Sequence, residues 1–328
     1  MGRAHRVSIH EDDHTGFDRP RKRSRPRTKD RPDYSSLPVA RVVSVDRGRY
    51  RCLLEDRIVS AVRGRLIARK GIIVGDEVRL DGDTSADEGT LARVVEVLER
   101  TTMLRRSADD ADTFERPIVA NADQLFIVTA LADPPPRMGM IDRILVAAYD
   151  AGIAPMLCLT KADLASPDEL RAAYEPLGVP ILVTDPLADL TPVREALTDH
   201  VTVFVGHSGV GKSTLVNRLI PDAHRATGEV SELTGKGRHT STSAVAMELP
   251  EGGWIVDTPG VRSFGISHVR PGSILGAFPD LAEYAEDCPR GCRHQTDAPE
   301  CALDDAVADG RLAPERLASF RRMERAFV

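Results

Sequence analysis

The stretch Gly206-His207-Ser208-Gly209-Val210-Gly211-Lys212-Ser213-Thr214 constrains this chain more than any other. It matches the G-x-x-x-x-G-K-[ST] phosphate loop in full, with the apolar run VTVFVG before it and the helical pattern KSTLVNRLI after it. The residue types are those the chemistry needs. Gly206, Gly209 and Gly211 let main-chain N–H groups wrap phosphates at the positive end of a helix, with His207, Ser208, Val210 and Thr214 filling out the cradle. Lys212 is placed to reach the β- and γ-phosphates as a catalytic cation, and the Ser213 hydroxyl to ligate Mg²⁺. A loop of this kind sits between a buried parallel strand and a helix, so the surrounding fold is α/β.

A second motif stands in an unexpected place. Thr160-Lys161-Ala162-Asp163 closes the apolar run APMLCLT and reads as the [N/T]-K-x-D turn of GTP-binding proteins. Asp163 accepts hydrogen bonds from guanine N1–H and the exocyclic amine, the Lys161 stem packs on the base, and Thr160 stands where Asn is usual. Adenine lacks that donor pair and would leave the carboxylate unmatched. The turn should follow the phosphate loop, yet precedes it by some forty residues. Circular permutation accounts for the order, because the ends of a compact domain often lie close and can be rejoined without disturbing the core. Asp257-Thr258-Pro259-Gly260, after the apolar WIV, then supplies a carboxylate on the Mg²⁺ side and a Gly260 N–H for the γ-phosphate. In the permuted order this loop leads straight into the C-terminal region, which loss of the γ-phosphate would move.

Around these motifs, strands alternate with helices from residue 117 onward: QLFIVTAL, MIDRILVAAYDAG, APMLCLT, SPDELRAAYEPLG, PILVT, PVREALTDH and VTVFVG. The alternation predicts a doubly wound sheet. Residues 37–100 differ. ARVVSVD, RYRCLLE, RIVSAVRG, DEVRLDG and TLARVVEVL are short β-patterned runs bounded by Gly or Asp, which suit an OB-fold barrel or another small β-domain. The predicted architecture is a circularly permuted P-loop GTPase domain (106–268) between an N-terminal OB-fold barrel (37–105) and a mostly helical zinc-binding domain (269–328). A basic tail (1–36) precedes them.

With a formal charge of -6, the chain is no generic nucleic-acid binder, but its charge is uneven. RPRKRSRPRTKDR (19–31) reads as a solvated tail or as an arm that finds phosphate backbones. Arg63, Arg65, Arg69 and Lys70 put a basic block on the barrel, either an RNA grip or a solvated face. No apolar run approaches the ~18 residues of a membrane span, and the first residues lack a secretion-signal core, so the cytoplasm is expected.

Of the five cysteines, Cys288, Cys292 and Cys301 cluster around His294 as C-x3-C-x-H-x6-C. Three thiolates and an imidazole make a closed tetrahedral set of the structural zinc kind, and such a helix-poor segment gains folding energy from a metal clamp. Cys52, Cys158 and Trp254 read as core packing.

The ordered set VGDEVRL, IVANADQLFIV, LTKADL, GHSGVGKSTLVN, TGKGRHTSTSA, DTPGVRSFG and CPRGCRH closely resembles the circularly permuted, ribosome-small-subunit-dependent GTPases of the RsgA family, from about residue 38 to the C-terminus. The resemblance implies GTP hydrolysis, late maturation of the 30S subunit, and contact with 16S rRNA by a monomeric chain. Val261 replaces the water-orienting Gln of Ras-like enzymes, and by similarity to the family His239 takes that role; Thr240 or Thr242 completes the Mg²⁺ shell. VTDPLAD (183–189) stands where a Ser-Ala turn often backs the guanine. Two other functions compete: an RNA-binding scaffold that uses GTP only to hold its shape, and a GTPase with a protein or tRNA partner.

Overall fold

A computed structural model describes residues 33–68, 71–107, 115–221, 244–258, 264–270, 272–296 and 298–327, and every structural statement concerns these. Strands β1 (Val39–Asp46), β2 (Arg49–Leu54), β3 (Arg57–Arg63), β4 (Glu77–Gly82) and β5 (Ala92–Val97) pair in the order β1-β2-β3-β5-β4, and β4 returns to β1. This closed barrel has the strand positions expected from the β-branched runs. Period-two alternation sends Tyr50, Cys52 and Leu54 inward against Val42, Val59, Val78, Leu80 and Val94. Beneath it, the fully buried Asp76 carboxylate accepts two hydrogen bonds from Arg100, at 2.6 and 2.9 Å, and one from the Ile73 N–H at 2.8 Å.

A hairpin of β6 (Met103–Arg106) and β7 (Arg116–Ala120) follows, spanning the 105/106 boundary expected from sequence. Its strands carry arginines and a proline and show no alternation, so no local pattern in the sequence marks the hairpin. β7 leads into the doubly wound region: β8 (Gln124–Ala130), α1 (Met138–Asp150), β9 (Ala154–Thr160), α2 (Asp168–Tyr174), β10 (Ile181–Val183), α3 (Thr191–Leu197), β11 (Val201–Val205), α4 (Lys212–Leu219), β12 (Val245–Glu248) and β13 (Trp254–Asp257). The strands lie in the order β10-β9-β8-β11-β13-β12, all parallel except β12. All seven residues of β8 are buried, as a central strand covered on both faces requires. The outer strand β12 joins β1 of the barrel through Ser44 and Val245, so one sheet runs through both regions.

On one face of the sheet α3 and α4 pack over Phe126 and Phe204, whose rings lie 4.9 Å apart. On the other face lie α1, α2 and the C-terminal helices α5 (Pro279–Ala285), α6 (Ala302–Ala308) and α7 (Pro314–Glu324). Phe278 sits between Tyr149 of α1 at 4.9 Å and Phe320 of α7 at 5.4 Å. The C-terminal helices thus share a core with the sheet. No helix among the described residues is long and apolar enough to cross a membrane.

Candidate nucleotide and metal sites

The carboxyl ends of β9, β11 and β13 carry the T-K-x-D turn, the phosphate loop and Asp257, where ligands gather on open α/β sheets. Gly209 (φ +85°) and Gly211 (φ +91°) take the left-handed conformation that shapes the loop. Gly206 is needed for a different reason: a Cβ there would lie 2.4 Å from the main-chain oxygen of Val128. Val210 is buried, whereas Ser208, Ser213 and Thr214 are exposed at the mouth. His207 is half-buried, with Nδ1 2.9 Å from the Ser208 oxygen.

Lys212 is buried at the start of α4 and donates from Nζ to Asp257 Oδ1 and to the Thr258 oxygen. Thr258 is fixed in turn by its hydroxyl, which donates to the Phe204 oxygen at 2.7 Å. The Asp257 carboxylate, paired with Lys212, and the hydroxyl of Ser213, the next residue of the same helix turn, are hard oxygen donors of the kind Mg²⁺ takes together with phosphate oxygens. The turn at 160–163 is bound to the loop directly: the buried Thr160 hydroxyl donates to the Val210 oxygen at 2.6 Å. Lys161, at φ +60°, donates from Nζ to the Asp133 oxygen. The Asp163 carboxylate is exposed and makes no hydrogen bond among the described residues. His239, Thr240, Thr242 and Gly260 lie outside the described residues, as do the basic arm 19–31, Arg69 and Lys70. Arg63 and Arg65 are exposed on the barrel.

At the other end, Cys288, Cys292, His294 and Cys301 bring their ligand atoms within 4.8 Å of one another. His294 Nδ1 lies 3.5, 3.6 and 3.8 Å from the three sulfurs. Bond lengths of about 2.3 Å to sulfur and about 2.0 Å to nitrogen at a tetrahedral angle require an S···N edge of about 3.6 Å, so the group fits a four-coordinate ion of zinc's size. Burial pushes the Cys288 thiol up to about 11 and holds His294 below the ordinary imidazole range, with the nearby Arg321 charge adding to the latter.

Arg321 of α7 went unnoticed in the sequence, where it reads as one of several charges on a helix. It grips Asp304 with two bonds of 2.7 Å, donates to the His294 oxygen at 2.7 Å and places Nη2 3.8 Å from Cys301 Sγ. That ion pair holds the Asp304 carboxyl below the usual carboxylate range.

A phosphate loop and an aspartate-tipped turn on one sheet, with the turn first in the chain, define a circularly permuted P-loop GTPase. Residues 97–267 match the profile of the RsgA GTPase family. The small ribosomal subunit biogenesis GTPase RsgA of Azotobacter vinelandii is 44% identical over 217 residues, covering 63% of this chain and 63% of that protein, less than two thirds of its length. Its namesake from Pseudomonas aeruginosa is 38% identical over 261 residues, 77% of this chain and 75% of the relative. Among solved structures, YjeQ from Thermotoga maritima superposes with a TM-score of 0.66 at 26% identity, covering 88% of this chain and 98% of that one. YloQ, a circularly permuted GTPase, gives 0.63 at 26% identity over 91% of this chain and 97% of that one. This chain belongs to the RsgA GTPase family.

Proposed function

We propose that this GTPase acts in biogenesis of the small ribosomal subunit: it binds the 30S subunit and its 16S rRNA late in maturation, and the subunit stimulates hydrolysis of GTP to GDP and phosphate. The observation that carries the reading is the hydrogen bond from Thr160 to Val210, which ties an aspartate-tipped base turn to a complete phosphate loop. The names borne by the relatives supply the ribosomal context.

In this reading the main chain of Gly206–Thr214 cradles the phosphates, and Lys212 exchanges its internal partner Asp257 for the β- and γ-phosphate oxygens. Ser213 and Asp257, with Thr240 or Thr242, hold Mg²⁺, which supplies charge neutralisation on the phosphates when bound. Thr160, Lys161 and Asp163 read the guanine. His239 accepts a hydrogen bond from the attacking water, neutral imidazole being available near pH 7. The Gly260 N–H meets the γ-phosphate. Cys288, Cys292, His294 and Cys301 hold one structural Zn²⁺, whose supply of folding energy fixes the short helices around it.

The working units are the tail 1–36, the barrel 37–105, the GTPase domain 106–268 and the zinc domain 269–328, in a cytoplasmic monomer. Arg63 and Arg65 contribute to the barrel's RNA grip. The deciding experiment is GTP turnover with and without purified 30S subunits, paired with sedimentation on 30S in a non-hydrolysable GTP analogue. Turnover by the free chain is expected at ~10⁻³ s⁻¹ or below, rising with subunits and abolished by Lys212→Ala. Failure of 30S subunits both to sediment the chain and to accelerate hydrolysis overturns the ribosomal reading.

A further inference from the structure

The loop after β10 is built unlike a plain Ser-Ala turn. The Thr184 N–H donates to the Leu159 oxygen at 2.8 Å, and the Ala162 N–H, inside the base-reading turn, donates to the Thr184 oxygen at 3.2 Å. Asp185 is therefore the next residue beside the guanine reader. Its carboxylate would repel guanine O6 if it faced the base, but Oδ1 is occupied within the loop by the Leu187 N–H at 2.7 Å. The Asp185 main-chain N–H has no partner among the described residues.

The loop is held from the phosphate side of the site. Arg218, in the last turn of α4, donates to the Asp185 oxygen at 3.0 Å and to the Ala188 oxygen at 2.6 Å. Arg194 of α3 supports the same helix end, donating to the Arg218 oxygen at 2.8 Å and the Leu219 oxygen at 3.0 Å, and pairs with Glu251 at 2.9 Å. One half-buried guanidinium thus spans the helix that begins at the phosphates and the loop beside the base.

We propose that Arg218 is a specificity-positioning residue: it fixes the 185–188 loop so that the Asp185 N–H meets guanine O6, next to the N1–H taken by Asp163. The chemistry is a matched set. A site that takes the N1–H and amine with a carboxylate must offer a donor to the adjacent O6, or that oxygen loses its water without replacement. A flexible loop could offer the same N–H only after being ordered by the ligand, at a cost in affinity that a fixed loop avoids. The inference rests on the guanine-reading role proposed for Asp163.

The test compares GDP with 6-thioguanosine diphosphate, which keeps the N1–H and the amine but replaces O6 with sulfur, a much weaker acceptor, on the full zinc-loaded chain. Arg218→Ala is expected to weaken GDP about tenfold, the size of one lost hydrogen-bond contact, and to leave the thio nucleotide, which has little of that contact to lose, within about twofold. Arg218→Gln, which keeps one donor, is expected to fall between, and serves if the alanine variant folds poorly. Equal losses for both nucleotides, or no loss for GDP, overturn the proposal. A parallel Asp163→Asn variant tested with xanthosine diphosphate separates the two claims: if xanthosine gains nothing there, the guanine reading itself has failed.

Discussion

Arg321 donates from Nε to the main-chain oxygen of His294 at 2.7 Å, which ties the helix Pro314–Glu324 to the backbone that carries one of the four candidate metal ligands. The same guanidinium puts Nη2 3.8 Å from Cys301 Sγ. Outer partners of this kind orient ligands and typically shift metal affinity about 10–100-fold. Arg321→Met should therefore keep one zinc per chain at saturating metal but lose it to a chromophoric chelator at about tenfold lower competitor concentration. Cys301→Ser should lose the metal outright. Zinc content by native mass spectrometry, with the chelator titration, checks both.

Asp142 of α1, almost fully buried, faces Arg322 of α7 at 3.3 Å, and Arg322 also stacks 4.7 Å above the Tyr174 ring and donates to the Ala173 oxygen at 2.9 Å. Burial raises the Asp142 carboxyl above its usual range and Arg322 pulls it back. Removing the cation leaves a buried charge unpaired, so Arg322→Met should cost about 3–5 kcal/mol at pH 7.5 in urea unfolding. Asp142→Asn, a neutral near-isostere, should cost much less. The pH sign follows from the raised folded value: folding favours the protonated carboxyl, a contribution present at low pH and lost as pH rises through that value. Without Arg322 that value rises further, so the deficit of Arg322→Met relative to wild type should shrink as pH is lowered from 7.5 toward the carboxylate range. A deficit that stays constant over that range would count against the charge explanation.

Much of this architecture is legible in the sequence because its signals are local. Alternation in RYRCLL and RIVSAVR gives the barrel strands, and the seven buried residues of QLFIVTA give a central strand. The Cys/His spacing gives the four-residue cluster, since side chains from one short segment need only a turn to converge. What sequence hides is long-range. Tyr149 and Phe320 meet through Phe278, and Ser44 pairs with Val245, only after the sheet has formed. Arg321 and Arg218 look like ordinary solvated helix charges until their carbonyl partners arrive from distant loops.

Gly206 and Gly209 belong to the same motif but answer to different physics. A methyl group on Gly206 would sit 2.4 Å from the Val128 oxygen and 3.1 Å from Val210 Cγ2, and the first of these is the backbone of the central strand. On Gly209 it would meet, among the described residues, only Pro134 Cδ at 3.7 Å, leaving the strain of φ +85°. Gly206→Ala should therefore abolish GDP binding or yield insoluble protein. Gly209→Ala should fold and lose only about 1–2 kcal/mol, the cost of a left-handed non-glycine residue. Thermal melting and GDP titration of the two variants distinguish these outcomes; equal effects would mean that close packing at Gly206 is not the reason for glycine there.

Thr160 stands where Asn is usual in the [N/T]-K-x-D turn, and its hydroxyl gives the Val210 oxygen a donor that an Asn amide also carries. The hydroxyl reaches the phosphate-loop oxygen at 2.6 Å and lies 3.3 Å from the Thr129 oxygen, so one small side chain joins β8, β9 and the loop after β11. Thr160→Val keeps the shape and removes the donor, leaving the Val210 oxygen without it at a cost of about 1–3 kcal/mol. In the proposed site the turn and the loop hold opposite ends of one nucleotide, so the loss of alignment should appear as about tenfold faster release of a fluorescent GDP analogue. Thr160→Ser retains the hydroxyl and should restore slow release, and Thr160→Asn, whose amide is also a donor, should do so as well. If the valine variant released GDP as slowly as wild type while serine did not differ, the hydrogen bond would serve folding alone, and the turn would find its place through β9 packing without help from the phosphate loop.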